Sequence, residues 1–110
     1  MTSLSASHCI VDPEALGSEE IIKYLHAIHD WQHDEVNTQI CRDFRFADFH
    51  DTIAFVNAVA LIANSENHHP EMQVGYNRCM VCYQTHSLGA LTLNDFICAS
   101  RIDDLYDRKP

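Results

Sequence analysis

Two stretches that alternate like β-hairpins flank one long helical stripe, and this arrangement limits what the chain can fold into. Thr38 to Phe46 places Ile40, Phe44 and Phe46 on one face and Cys41, Asp43 and Arg45 on the other, and Trp31 to Asp34 supplies a short partner strand. Met72 to Tyr76 and Cys79 to His86 carry β-formers on both sides of Asn77-Arg78, and Gly89 closes that second hairpin. Between the hairpins, Asp48 predicts an N-cap with Asp51 at the third position. Phe49, Ile53, Val56, Ala60 and Ala63, widened by Val59 and Ile62, then form a stripe that ends near Asn64. Ser18 as N-cap, Glu19 and Glu20 in the first turn, and Ile21, Leu25 and Ile28 on one stripe predict a helix over 18–29. Thr92 and Asp95 make a capping box for a third helix, whose stripe is Phe96, Ala99, Ile102 and Leu105.

A hairpin cannot bury a face without a cover, and amphipathic helices need a flat surface to pack on. The fold class is therefore α+β, a two-layer sandwich of a four-stranded antiparallel sheet with three helices on one face, in the order α-β-β-α-β-β-α. The opposite sheet face has no cover within the chain, which predicts a homo-oligomer, dimer or tetramer. Residues 1–17, with Pro13 and Gly17, read as an extended N-terminal segment, and residues 18–110 as a single domain.

Lys and Arg number 7 against 16 Asp and Glu, a net charge of −9 that disfavours nucleic acid or an anionic membrane as partner. Met1 to Gly17 lacks the basic start and apolar run of a secretory signal, and no segment offers the ~20 apolar residues of a membrane span, so a cytoplasmic address is expected. Five cysteines (Cys9, Cys41, Cys79, Cys82 and Cys98) are an odd number, and without an export signal reduced thiols are expected rather than a disulfide framework.

Eight histidines are the compositional excess, and their positions carry the chemistry. The densest polar signal is Asn67-His68-His69-Pro70-Glu71 at the exit of the central helix, with Thr85-His86 at the end of the last strand. Pro70 pushes His69 toward extended backbone, so the adjacent rings of His68 and His69 should point in different directions. Histidines paired in a loop, or one in a strand, also occur with no function at all.

The spacing of the whole set is more specific. His68-His69-Pro70 is followed after five residues by Tyr76, after nine more by His86 and after eight more by Asp95, with Trp31 and Phe44-Arg45-Phe46-Ala47-Asp48-Phe49 upstream. This pattern, with Thr85-His86, Gly89, Leu91-Thr92 and Asp95, resembles the pterin-4a-carbinolamine dehydratase family over about residues 18–106. In animals that family also serves as a dimerisation cofactor for a homeodomain transcription factor.

The resemblance implies a dehydratase that removes water from a 4a-hydroxytetrahydropterin to give the quinonoid dihydropterin, in recycling of the tetrahydrobiopterin-type cofactor of an aromatic amino acid hydroxylase. Such a reaction needs an acid for the departing hydroxyl and a base for the N5 proton, and imidazoles of pKa near ~6.5 serve as either. It requires no metal and no cofactor. By resemblance His68, His69 and His86 are the catalytic histidines, with His69 assisting binding. Asn67, Pro70, Gln84, Thr85, Ser87 and Trp31 join them in lining the pterin, although a lone Trp at a helix–strand junction also reads as plain core.

One position departs from the family pattern. Four residues before His68 an ionisable residue such as Glu is usual, and here Asn64 stands there. Glu66 does not replace it, because two residues along a helix turn a side chain by about 200°. Asn64 keeps open a second reading, a non-catalytic oligomerisation or partner-binding module on the same fold.

Metal readings are weaker. Cys79-x-x-Cys82 has zinc-knuckle spacing, but residues three apart on a strand face opposite ways. Neighbours such as His68 and His69 in extended backbone rarely aim both rings at the ion that a site with His86 would need. His26, His29 and His33 read as a solvated face.

Overall fold

The computed structural model describes residues 4–107. After a short 3-10 turn at Leu4–Ala6 come α1 (Ser18–Leu25), β1 (Gln32–Asp34), β2 (Gln39–Arg45), α2 (Phe49–Glu66), β3 (Glu71–Val74), β4 (Arg78–Tyr83) and α3 (Leu93–Asp107). The four strands form one antiparallel sheet in the order β1-β2-β4-β3, so the central pair comes from different hairpins. This is the expected α+β sandwich in the expected element order. No helix among the described residues is long and apolar enough to cross a membrane.

Alternation along the two central strands sets the layers. Ile40, Arg42 and Phe44 of β2 and Cys79, Val81 and Tyr83 of β4 are buried under the helices, while Cys41, Asp43, Arg78, Met80 and Cys82 lie on the other face. Phe44 joins an aromatic cluster with Trp31, Phe55 and Tyr106, at centroid distances of 4.7 to 5.9 Å.

Arg42 is a charge on the core-facing side, and its partner explains how it is tolerated. Its Nη1 lies 2.6 Å from Asp103 Oδ1, which also accepts the indole N–H of Trp31 at 2.8 Å, while Oδ2 accepts the His29 backbone N–H. The guanidinium stacks over Phe44 and Tyr106. Burial pushes the Asp103 carboxyl above its ordinary range, against the opposing pull of the His29 and Trp31 N–H groups and Arg42.

Several boundaries differ from the sequence reading. Gly17 rather than Ser18 is the N-cap of α1, its backbone N–H donating to Glu20 Oε1 at 3.2 Å. The helix stops at Leu25 instead of 29, because Ala27 and Ile28 bond three residues back and Asp30 takes positive φ, turning the chain into β1. In α2 Asp48 caps as expected, accepting from the Asp51 N–H, but the helix runs on to Glu66. Its buried face is Thr52, Phe55, Val59 and Ala63, with Phe49 49% exposed. Thr52 can replace an apolar residue there because its hydroxyl meets the carbonyls of Asp48 and Tyr76. β4 ends at Tyr83, after which Thr85 bridges Ala90 around a turn closed by Gly89 at φ 58°.

The cysteines require a correction. Register sets Cys41 directly opposite Cys82 on the outer sheet face, Cα atoms 4.2 Å apart, and the two are joined by a disulfide. The expectation of reduced thiols rested on an odd count, which says nothing about which strand positions face each other. Cys9, Cys79 and Cys98 remain free.

Candidate functional site

The end of α2 builds the first wall. Asn67 adopts the left-handed conformation at φ 52°, which Asn tolerates, and the His68 N–H turns back to the Ala63 carbonyl at 3.0 Å. The reversal lays the His68 ring on that of Tyr83, centroids 5.2 Å apart and planes 25° from parallel. Tyr83 in turn donates its hydroxyl to the His68 carbonyl at 3.2 Å. His69, one residue on, is exposed.

Beneath His68 lies Asp95, which is fully buried. Its Oδ1 is 2.6 Å from His68 Nε2, while Oδ2 accepts the Thr92 N–H at 2.9 Å and the Thr85 hydroxyl at 3.0 Å. Thr85 and Thr92 hydroxyls meet at 2.7 Å. Asp95 therefore caps α3 with one oxygen and holds the histidine with the other. A carboxylate only accepts, so Nε2 carries a proton and Nδ1 is the nitrogen left for a ligand. Burial opposes the charge on the half-buried ring, but the hydrogen bond and charge of Asp95, helped by Cys98, prevail and hold His68 above the ordinary histidine value.

The second wall is the Gln84–Ser87 stretch. Gln84 Nε2 donates to the carbonyls of Asn37 and Thr38 at 2.7 and 3.1 Å, which turns its Oε1 toward His86 Nδ1 at a long 3.5 Å. Between the walls lies a cleft of about 330 Å³, lined by Asn67, His68, His69, Pro70, Glu71, Gln84, Thr85, His86 and Ser87. Eight of these were singled out from sequence. The two stretches become neighbours because β3 and β4 pair antiparallel, bringing the start of one beside the end of the other.

Trp31 stands elsewhere. It is 7% exposed in the core, its indole N–H held by Asp103, and it does not line the cleft. Glu66 does not line the cleft either: its carboxylate accepts the Cys9 N–H at 2.6 Å and meets His8 Nδ1 at 2.8 Å. Burial works against that charge, yet the Cys9 N–H, His8 and Arg101 hold the carboxyl below its usual range. Asn64 is exposed on α2.

Cys79 and Cys82 face opposite sides, one in the core and the other bonded to Cys41. His29 pairs with Asp107 at 3.1 Å, and His26 is exposed. Among the described residues no three His, Cys, Asp or Glu side chains gather as a metal site would need. Glu71 stands in the polar run read from sequence but was not expected to line the cleft, and the stack on Tyr83 was not foreseen. The alternation that buries Cys79 and Val81 was the signal for Tyr83.

The profile of the family Pterin 4 alpha carbinolamine dehydratase matches residues 14–105. A protein of Legionella pneumophila (strain Corby), provisionally named a pterin-4-alpha-carbinolamine dehydratase, is 51% identical over 110 residues, 96% of this chain and 97% of that one. One from Xanthomonas campestris pv. campestris (strain 8004), named in the same way, is 42% identical over 108 residues, 96% of this chain and 92% of its own. The crystal structure of a transcriptional coactivator/pterin dehydratase from Brucella melitensis superposes with a TM-score of 0.81 at 32% identity, covering 84% of this chain and 99% of that chain. A pterin dehydratase-like protein identified as a RuBisCO assembly factor in the alpha-carboxysome shares the fold at a TM-score of 0.63 and 21% identity, over 74% of this chain and 94% of its own. With a histidine held by a buried aspartate at the wall of a histidine-lined cleft, and with these relatives, the chain belongs to the pterin-4a-carbinolamine dehydratase family.

Proposed function

We propose that this protein dehydrates a 4a-hydroxytetrahydropterin to the quinonoid dihydropterin by histidine acid–base catalysis. The observation that carries the reading is the 2.6 Å bond from His68 Nε2 to buried Asp95, across a cleft from His86. The reaction breaks the C4a–O bond, removes the N5 proton and leaves a C4a=N5 double bond.

His68 is the acid. Asp95 raises its pKa above the ordinary histidine value and so favours the doubly protonated ring, whose Nδ1 proton goes to the departing hydroxyl. It then remains as the Nε2–H tautomer, so its bond to Asp95 persists throughout. His86 is the base. Gln84 Nε2 is already committed to two carbonyls, so Oε1 is the atom that faces His86 Nδ1, which favours a proton there and a free lone pair on Nε2 for the N5 proton. His69, Asn67 and Ser87 bind the pterin ring. In this reading the protein acts as a cytoplasmic homo-oligomer serving an aromatic amino acid hydroxylase, with residues 18–110 as the catalytic domain and 1–17 as its strap.

The test is the decay of the 4a-carbinolamine over buffer with purified protein. His68→Ala and His86→Ala should each lower turnover by about 10²–10⁴, and His69→Ala should act on KM. The double variant should be little worse than the poorer single, because the two groups serve one dehydration. Undiminished turnover in both single variants would leave the non-catalytic module that Asn64 allows.

A further inference from the structure

Behind the His68 wall lies a pair of thiols that the dehydration does not use. Cys9 Sγ and Cys98 Sγ are 3.6 Å apart, one on the N-terminal strap and the other in the middle of α3. The flanks of Cys9 are pinned on both sides. Its own N–H goes to Glu66, the Ile10 N–H and carbonyl are paired with the Asn94 side chain at 2.9 Å each, and Arg101 holds the Ser7 carbonyl at 2.7 Å. The two sulfurs are thus kept facing each other across 89 residues of sequence. A disulfide of ~2.05 Å needs them to approach by about 1.5 Å, within reach of side-chain rotation and a small shift of the strap.

We propose that Cys9 and Cys98 are an oxidation site, converted by hydrogen peroxide into an intramolecular disulfide that fastens the N-terminal strap to α3 behind His68. Cys9 is partly exposed and Cys98 is not, so the peroxide meets Cys9 first, although the hydrogen bond with Cys98 and burial push the Cys9 thiol up and slow this step. The Cys9 sulfur attacks one peroxide oxygen, the O–O bond breaks, and the leaving hydroxide takes the thiol proton to become water. The sulfur is oxidised by two electrons to the sulfenic acid and the peroxide is reduced. Cys98 then attacks the sulfenic sulfur, the S–O bond breaks, and the second hydroxide leaves as water with the Cys98 proton. Two thiols and one peroxide give one disulfide and two waters. Before oxidation the Cys9 hydrogen bond favours the Cys98 thiolate, and once that thiol is spent His68 and the Tyr83 hydroxyl remain to favour it against the cost of burial.

The experiment treats the full chain, never exposed to reductant, with hydrogen peroxide, then alkylates, digests and maps it by mass spectrometry. A Cys9–Cys98 cross-linked peptide is expected, with titratable thiols falling from the three free cysteines to one. Cys79→Ala should keep the cross-link, and Cys9→Ser should leave Cys98 alkylatable. The oxidised protein should melt at a higher temperature than the untreated one, and Cys9→Ser should show no such rise. Cys9 carrying two or three oxygens while Cys98 stays free, or Cys9 cross-linked to a second copy, would overturn the proposal.

Discussion

Replacing Asp95 by Asn isolates the charge under His68 while keeping the shape of the side chain. The carboxylate accepts from three groups: Thr92 N–H and the Thr85 hydroxyl on Oδ2, and His68 Nε2–H on Oδ1. In the variant the amide oxygen can keep the two threonine bonds, which leaves the amide N–H₂ facing His68. That nitrogen can only donate, so Nε2 must lose its proton and the ring is driven to the neutral Nδ1–H tautomer. The lost bond joins His68 to a buried carboxylate, so stability should fall by about 1.5–3 kcal/mol near neutral pH, read from denaturant midpoints. The sign of the pH dependence follows from the raised folded pKa of His68. Its contribution is full below the unfolded histidine value of ~6.5 and is lost as pH rises through the folded value, so the gap between wild type and variant should be widest in acid. With His68 as the proposed acid, the alkaline limb of the wild-type rate profile should move to lower pH in Asp95→Asn, with turnover lower by about 10²–10⁴ at neutral pH. NMR titration of the His68 ring proton follows the same group directly. An unchanged His68 midpoint in Asp95→Asn would refute the coupling, and an unchanged rate profile would remove His68 as the acid.

The buried Arg42–Asp103 pair gives an independent check on the core: Arg42→Met should cost about 3–5 kcal/mol by stranding Asp103, whereas Arg42→Met with Asp103→Leu should recover much of the loss, as read from thermal or denaturant unfolding. If the single and the double lose the same amount, the charge is not what the pair contributes. Phe55→Ala, which empties a position packed on Phe44, Phe46 and Tyr106, should cost about 3–5 kcal/mol in the same assay, and a loss under 1 kcal/mol would mean the aromatic cluster is loose. Light scattering at concentrations on the order of tens of micromolar should give a multiple of the 12.6 kDa chain mass, and a monomer would contradict self-association through the uncovered face or edges of the sheet.

What the sequence discloses divides along a physical line. Periodicity and capping residues are local, so both hairpins, all three helices and the cap at Asp48 were legible, and so was the cleft, since its lining comes from two short contiguous runs. Register and long-range pairing are not local. The Cys41–Cys82 bridge depends on which residue of β2 faces which residue of β4, a fact that no count of cysteines contains. Trp31 went astray for a related reason. Its neighbour in space is Asp103, 72 residues away, and only the packed structure shows that the indole N–H is already taken. Arg42 lay nearer to recognition, since it falls in phase with Ile40 and Phe44 on the core-facing side of β2. A cation in that phase demands a buried anion, and Asp103, one residue beyond Ile102 on the stripe of α3, was the place to look for it. The same reasoning, applied to Asp95, explains why that residue reads correctly as a cap and yet incompletely. A carboxylate at the third position of a helix needs only one oxygen for capping, and when both oxygens are buried the second must find a donor, which here is His68.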